Sequence, residues 1–299
     1  AVDGAVMIST EKMRELVIDT ATRTAVTQPG LFNSEVKAAA AANGLWYPPD
    51  PSSFEICSIG GNVATNAGGL CCVKYGVTRE YVRALEVVLA DGRVLRTGTA
   101  TAKGVAGYDL TSLLVGSEGT LGVVTEVTVR LVPRPADPLT AVAFFGSARG
   151  ACETVLDHRA SGARPSMLEL MDRGSLEAVA RLKDLGFPEG TGAMLLVQSD
   201  DPDRAGAELD AFAEVARRRG GEVVVAEDRE EAELLVERRG TAPVTLIIDV
   251  AVADAGWSGG GRVLEVAVDH HVVAAALVVA GLDVLDRALD VLAQLRTIA

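Results

Sequence analysis

Apolar and polar positions recur along this chain with two different periods, and the places where one gives way to the other mark its elements. Val2–Ile8, Glu15–Ile18 and Thr24–Gln28 read as short strands, the last closed by a Pro29-Gly30 turn. From Asn33 to Asn43 the apolar residues fall at helical spacing, with Asn33 or Ser34 placed to cap the first turn and Asn43-Gly44 to end the last. Pro48, Pro49 and Pro51 exclude regular structure, so YPPDPSS is a rigid loop. Ala84–Leu89 and Val94–Thr97 form a hairpin about Ala90-Asp91-Gly92, where Asp-Gly is a strong turn signal. A short helix follows Gly107-Tyr108-Asp109-Leu110 and reaches Val115, and VVTEVTVRLVP alternates as a strand. Pro133, Pro135 and Pro138 then close this half, which sets a domain boundary after residue 134 and leaves 135–299 as a second domain.

The second half changes character. Ser147–Ser161 and Asp203–Arg219 are amphipathic helices, separated by LLVQSD and followed by GEVVVAED, both strand-like. The order strand, helix, strand, strand, helix, strand suits an antiparallel sheet with helices on one face. Such a layer can cover a ligand held by the first half.

Against this regular background Gly60–Gly76, GGNVATNAGGLCCVKYG, stands out as a loop in which glycines let backbone N–H groups approach a ligand. Asn62, Thr65 and Asn66 add side-chain donors and acceptors. The simpler alternative is a pair of tight turns flanking a short strand. Two Gly-Gly pairs bracketing NVATNA favour a large polar ligand instead. A second glycine-spaced loop, GSEGTLG, covers Gly116 to Gly122.

Composition narrows the classes. The 299 residues suffice for two domains, and 48% hydrophobic with 23% charged residues describes a globular chain. Aromatic residues make up 4% and the net charge is −13, so both base stacking and phosphate attraction are poorly provided for, which argues against nucleic acid as a partner. Cys57, Cys71, Cys72 and Cys152 show no CxxC spacing and read as reduced thiols of a cytoplasmic protein. The longest apolar run, Val272–Leu282, is too short for a bilayer span, and no export signal is visible. The absence of an initial methionine leaves open whether residues precede Ala1.

The run from Tyr47 to Leu131, YPPDPSSFEICSIGGNVATNAGGLCCVKYGVTREYVRALEVVLADGRVLRTG through GVAGYDLTSLLVGSEGTLGVVTEVTVRL, closely resembles the FAD-linked oxidases related to vanillyl-alcohol oxidase. Within them it is most similar to the branch of D-lactate dehydrogenase, D-2-hydroxyglutarate dehydrogenase and the glycolate oxidase flavoprotein subunit, over about residues 1–235. The resemblance implies an α+β fold: a p-cresol methylhydroxylase-type FAD-binding domain, its N-terminal lobe incomplete here, followed by an α+β substrate-covering domain with an antiparallel sheet. It implies FAD as cofactor and oxidation of a small 2-hydroxy acid, with hydride passing to flavin N5 and electrons leaving to an acceptor the sequence does not identify. Oligomeric state is equally unspecified. Pro49, Asp50 and Ser52 would line the cofactor channel, and Gly60, Gly61, Asn62, Thr65, Asn66 and Gly68 would lie along the pyrophosphate and isoalloxazine. Gly116, Glu118, Gly119, Leu121, Gly122 and Val123 would approach the adenosine side, and Tyr108 with Asp109 matches the family's AGYDL segment.

Elsewhere the chain departs from that pattern. The carboxylate-gripping arginine of LWxxRR is matched loosely by Glu233–Arg239, which makes Arg238 the candidate for the substrate carboxylate. A solvated arginine in the charged run Glu227–Arg239 is the alternative. Asp249–Val252 echoes EDVAVP, but no GHxGDGNLH motif follows, and His158, His270 and His271 are not spaced to chelate, so no metal site is expected. A glycine-rich RGxGT turn is also missing, Ala1–Gly4 resembling the sequence just after it. The alternative to an enzyme is therefore a truncated, catalytically silent flavin-fold fragment, or one piece of a split flavoprotein. A UDP-sugar reductase of the same cofactor fold is less well matched by PPDPSS and ATNAGG.

Overall fold

A computed structural model describes residues 6–99, 101, 103–182 and 186–226. The first half runs β1 (Leu16–Asp19), β2 (Thr24–Thr27), α1 (Asn33–Ala41), β3 (Leu45–Trp46), α2 (Ile59–Thr65), α3 (Cys72–Tyr75), β4 (Val82–Val88), β5 (Val94–Gly98), α4 (Leu110–Leu114), β6 (Val123–Arg130) and β7 (Val132–Pro133). Five of the strands make an antiparallel sheet in the order β1-β2-β6-β4-β5, and β3 pairs separately with β7. Period-two patterning sets the register: Leu85 lies opposite Val127, and both are buried with Val87 and Val129. Val36, Ala40, Ile59, Val63 and Leu114 from α1, α2 and α4 join Tyr47 and Tyr81 in the same core. At the end of β5 the chain turns with φ +79 at Gly98, where a Cβ would lie 2.0 Å from the Arg83 carbonyl oxygen, so only glycine fits.

The second half runs β8 (Leu139–Phe145), α5 (Ala148–Ala160), β9 (Met167–Asp172), α6 (Arg173–Leu182), β10 (Ala193–Ser199), α7 (Ala205–Arg218) and β11 (Glu222–Val225). Its strands form an antiparallel sheet in the order β11-β8-β10-β9, a split β-α-β arrangement. One face packs on α5 and α7 through Val155, Leu209, Phe212 and Ala216. The other packs on α6 through Leu176 and Val179, with Leu70 of the first half against the same cluster.

Four expectations change. Val6, Met7 and Ile8 are exposed and belong to no strand, while residues 1–5 lie outside the described set. Gly60–Gly76 is not one loop, because Ser58 caps a helix over Ile59–Thr65 and a further helical turn spans Cys72–Tyr75. The cap of α1 is supplied by neither Asn33 nor Ser34. Phe32 occupies the cap position, and its N–H donates to the Glu35 carboxylate at 2.8 Å. In the second sheet the helices occupy both faces, since α6 intervenes between β9 and β10 and turns to the side opposite α5 and α7. That two-sided burial explains why β8, LTAVAFF, is apolar from Ala141 onward and carries no alternation to reveal it.

The halves meet along Gly69–Tyr75. Lys74 Nζ pairs with Asp200 Oδ1 at the end of β10, and the Tyr75 hydroxyl donates to Asp200 Oδ2 at 2.5 Å. The Asp200 side chain is 4% exposed, so the pair is largely removed from water. Tyr75 also meets Trp46 edge to face at 4.8 Å, and its carbonyl accepts from the Tyr81 hydroxyl at 2.7 Å.

His158 sits inside the second core, 1% exposed and edge to face with Phe212 at 5.4 Å, with no partner for Nδ1 among the described residues. Burial holds its pKa below the ordinary 6.5 and the charge of Glu208 opposes that only in part. The unfolded chain therefore takes up a proton that the folded one refuses, and stability falls as pH drops below about 6.5, by at most about 1.4 kcal/mol per pH unit. Thermal unfolding at pH 7 and pH 5 should show a smaller acid-induced loss in His158→Phe than in the native chain.

Candidate cofactor site

Helix α2 is held at both ends by other segments. At its start the N–H groups of Ile59 and Gly60 donate to the carbonyls of Leu31 (2.8 Å) and Pro29 (2.9 Å). Gly61 N–H donates to Ser58 Oγ at 3.1 Å, and Asn62 N–H to the Ser58 carbonyl at 2.9 Å. A Cβ on Gly60 would lie 2.6 Å from Pro29 Cβ, so this glycine permits close packing of α2 on residues 29–31. The first-turn donors that the sequence offers to a pyrophosphate are thus spent within the protein.

The other end of α2 is where the predicted residues converge. Asn66 takes the left-handed conformation at φ 51, ψ 52, ending the helix, and its Oδ1 accepts the Arg79 N–H at 2.9 Å. The loop after α4 then docks on the last carbonyls: Gly116 N–H donates to Val63 at 2.8 Å and Glu118 N–H to Ala64 at 2.9 Å. Arg79 binds the two pieces together, donating from its guanidinium to the Val115 carbonyl at 2.8 Å. Asp109 caps α4 by accepting from Ser112 N–H and Oγ at 2.9 and 2.7 Å, which holds its carboxyl below the usual range, assisted by the charge of Arg79. Thr65 and Glu118 are exposed at this rim, and Tyr108 is 95% exposed.

Beyond Glu118 the N–H groups of Gly119, Leu121 and Gly122 have no acceptor among the described residues, and the space beside Gly119 is open. Gly122 itself packs on β4, where a Cβ would sit 2.6 Å from Val87 Cγ1, and Val123 is already in the β6 ladder opposite Val88. A loop whose N–H groups have no acceptor among the described residues, beside a left-handed asparagine, can receive a polar, heteroatom-rich ligand. Asn62 adds a 2% exposed amide whose Nδ2 has no partner among the described residues. This donor set suits a neutral or anionic acceptor, and the Arg79 guanidinium, which donates to the Val115 carbonyl, is a cation beside it.

The proline segment forms a second group. Asp50 Oδ1 accepts the Cys71 N–H at 3.2 Å, and a Cβ on Gly69 would fall 2.2 Å from the Asp50 carbonyl oxygen. Pro49 is buried, and its carbonyl accepts from Asn33 Nδ2 at 3.2 Å, which ties this segment to α1. Ser52 is exposed, and Gly68 packs near Cys72. Burial pushes the Cys71 thiol far above the ordinary range, with Asp50 adding to the shift, which excludes a thiolate there. Burial lowers Lys37, whose ammonium lies 5.5 Å from the Trp46 ring centre, while Asp50 opposes the shift.

Arg79 and Ser58 organise the site although little in their local sequence assigns them to it; a polar residue immediately before a helical IGGNVAT is the one signal that points to Ser58. Among the described residues no group of three His, Cys, Asp or Glu is placed to hold a metal ion. Arg238, His270 and His271 lie outside the described residues.

Comparisons with known proteins meet this geometry from another side. Residues 1–98 match the FAD binding domain family, and residues 134–279 match the C-terminal domain of FAD linked oxidases. The chain is similar to glycolate oxidase subunit GlcD of Bacillus subtilis, 42% identical over 259 residues that cover 83% of this chain and 55% of that protein. It is also similar to GlcD of Escherichia coli strain K12, at 38% over 256 residues (86% and 47%), and to D-lactate dehydrogenase of Archaeoglobus fulgidus, at 36% over 240 residues (80% and 53%). The chain thus spans about half the length of these curated relatives. Among solved structures, alkyldihydroxyacetonephosphate synthase superposes with a TM-score of 0.61 at 19% identity, covering 77% of this chain and 44% of that one, a likeness of fold alone.

Asn66→Ala should cost more stability than Asn66→Gly in urea denaturation. Both lose the bond to Arg79, worth about 1 kcal/mol. Alanine also bears about 1–2 kcal/mol for the left-handed backbone, which glycine avoids.

Proposed function

The chain belongs to the FAD-linked oxidases, and from that premise we propose that it is the cofactor-holding part of an FAD-dependent dehydrogenase for small 2-hydroxy acids of the D-lactate or glycolate kind. The observation that carries this reading is the junction of Asn66 with the Gly116–Gly122 loop, whose outer N–H groups lack acceptors among the described residues. Residues 1–134 would hold FAD, and residues 135–299 would cover the substrate side. Bound FAD supplies the two-electron acceptor that turns a carbinol carbon into a carbonyl.

In this reading Thr65, Asn66 and the N–H groups of Gly119, Leu121 and Gly122 orient the cofactor, while Asp109, through α4, and Arg79 hold that loop in place. Tyr108 and the exposed residues beside it exclude water once the ligand is seated. Arg238 grips the substrate carboxylate by a bidentate bond, a role supported by its place in ELLVERR. The names of the relatives support the substrate class. No helix among the described residues is long and apolar enough to cross a membrane. A cytoplasmic site of action belongs to the same reading, supported by four free cysteines.

The purified chain, mixed with FAD and passed through gel filtration, should retain the flavin bands in its visible spectrum, and anaerobic D-lactate or glycolate should bleach them. Asn66→Ala should retain less flavin. Arg238→Ala should raise the half-bleaching substrate concentration by roughly 10- to 100-fold, the loss of a charge-assisted pair. A chain that stays colourless at saturating FAD sinks this reading.

A further inference from the structure

One segment of the chain touches both the candidate cofactor site and the second sheet. Asn66 and Arg79 are bonded to each other at the base of that segment, beside the Gly116–Glu118 loop. Between them the chain runs out to Leu70, Lys74 and Tyr75 and returns, closing a loop whose base is further tied by Thr78 N–H and Oγ, both donating to the Ala67 carbonyl at 3.1 and 2.7 Å. Its tip is fixed to the second half by an apolar and a polar contact. Leu70 packs against the cluster of Val142, Phe144, Met171 and Leu196, and Asp200 takes both the Lys74 ammonium and the Tyr75 hydroxyl. Burial, aided by the Asp200 carboxylate, raises the Tyr75 pKa well above its ordinary value, so the phenol keeps its proton and donates.

A largely buried carboxylate holding two donors from the other half of the molecule is sensitive to geometry, because losing either donor leaves a charge without full compensation in a medium that solvates it poorly. Bonds at the base of the same segment fix Asn66. We propose that Asp200 is a positioning residue for the cofactor site: by locking Lys74 and Tyr75 it holds the Asn66–Arg79 segment in order, so that docking of the second sheet and occupancy of the site by a flavin dinucleotide share one coupling free energy. The coupling rests on the function proposed above, whereas the ordering of the segment by Asp200 does not.

Reciprocity follows from linkage. What Asp200 contributes to cofactor affinity, the cofactor returns as tighter docking of the second sheet. Lys74 and Tyr75 touch the covering half and act on the candidate site through their own segment: through Asn66 and Arg79 at its base, and through Cys71, whose carbonyl accepts from both of their N–H groups and whose N–H donates to Asp50.

Two measurements on the full chain separate the layers. Hydrogen exchange without added ligand should show faster exchange at Asn66, Arg79, Gly116 and Glu118 in Asp200→Asn and, more weakly, in Tyr75→Phe, which removes one hydroxyl and leaves the ion pair. Exchange changes confined to residues 70–76 and 199–205 would overturn the proposal whether or not flavin binds. FAD titration followed by flavin fluorescence should then show a Kd raised roughly tenfold in Asp200→Asn, within the usual range of coupling between sites. Lys74→Arg, which keeps the pair, should restore near-native exchange and affinity where Lys74→Met does not. Native FAD affinity in Asp200→Asn and Lys74→Met would overturn the coupling. If the native chain binds no FAD, the functional reading fails and the exchange experiment alone decides the ordering role of Asp200.

Discussion

A seven-residue helix has too few internal hydrogen bonds to persist alone, so α2 exists because other segments complete its ends. Leu31, Pro29 and Ser58 accept its first donors, and Gly116 and Glu118 supply donors to Val63 and Ala64 at its close. This mutual completion makes the glycine-rich region specific. It leaves little freedom in where Asn66 points, and it places the Gly116–Gly122 loop beside Asn66 without a covalent link between them. The buried side chains Ile59, Val63 and Asn62 complete the constraint by fixing the helix against the first core.

Much of the fold was legible. The hairpin over β4 and β5, the helices α1, α4, α5 and α7 and the strand β6 all follow from periodicity and turn chemistry, with ends within a few residues of those observed. What escaped was hidden by burial or by composition. Strand β8 entered the strand order only by its place before the first helix of that half, because a strand enclosed on both faces lacks the alternation that would set its bounds. Glycine argues against helix on propensity, yet Gly60-Gly61 is helical because Leu31, Pro29 and Ser58 take the first donors, and at Gly60 the packing on Pro29 tolerates nothing larger. Asn33 and Ser34 are good cap residues in isolation, yet Phe32 holds the cap position because the Glu35 carboxylate serves it.

The site was legible in its parts and not in its logic. Glycine spacing pointed to the stretches that hold Asn66 and Gly116, the family resemblance to Glu118 and Asp109, and the structure gathers the four at one end of α2. The family resemblance placed Gly60, Gly61 and Pro49 along the cofactor, and polar backbone groups of all three are engaged within the protein. Spacing along a chain shows which residues lie close in sequence; whether an N–H is still available depends on partners such as Pro29 and Leu31 that carry no signature. Arg79 escaped for the same reason, since its acceptor, the Val115 carbonyl, lies 36 positions away.

The pair between Lys74 and Asp200 joins positions 126 residues apart. Closing so long a loop is unfavourable until the contacts it brings are ready to form, so during folding this lock follows the growth of both sheets. Every described strand of the first sheet has been made by Arg130, long before the chain that carries Asp200. Synthesis therefore presents a first half with Leu70, Lys74 and Tyr75 still bare, and the segment that reaches the C-terminal end of α2 receives its last restraint when β10 docks. Assembly runs from scaffold to cover, with the Asn66–Arg79 segment among the last parts to set.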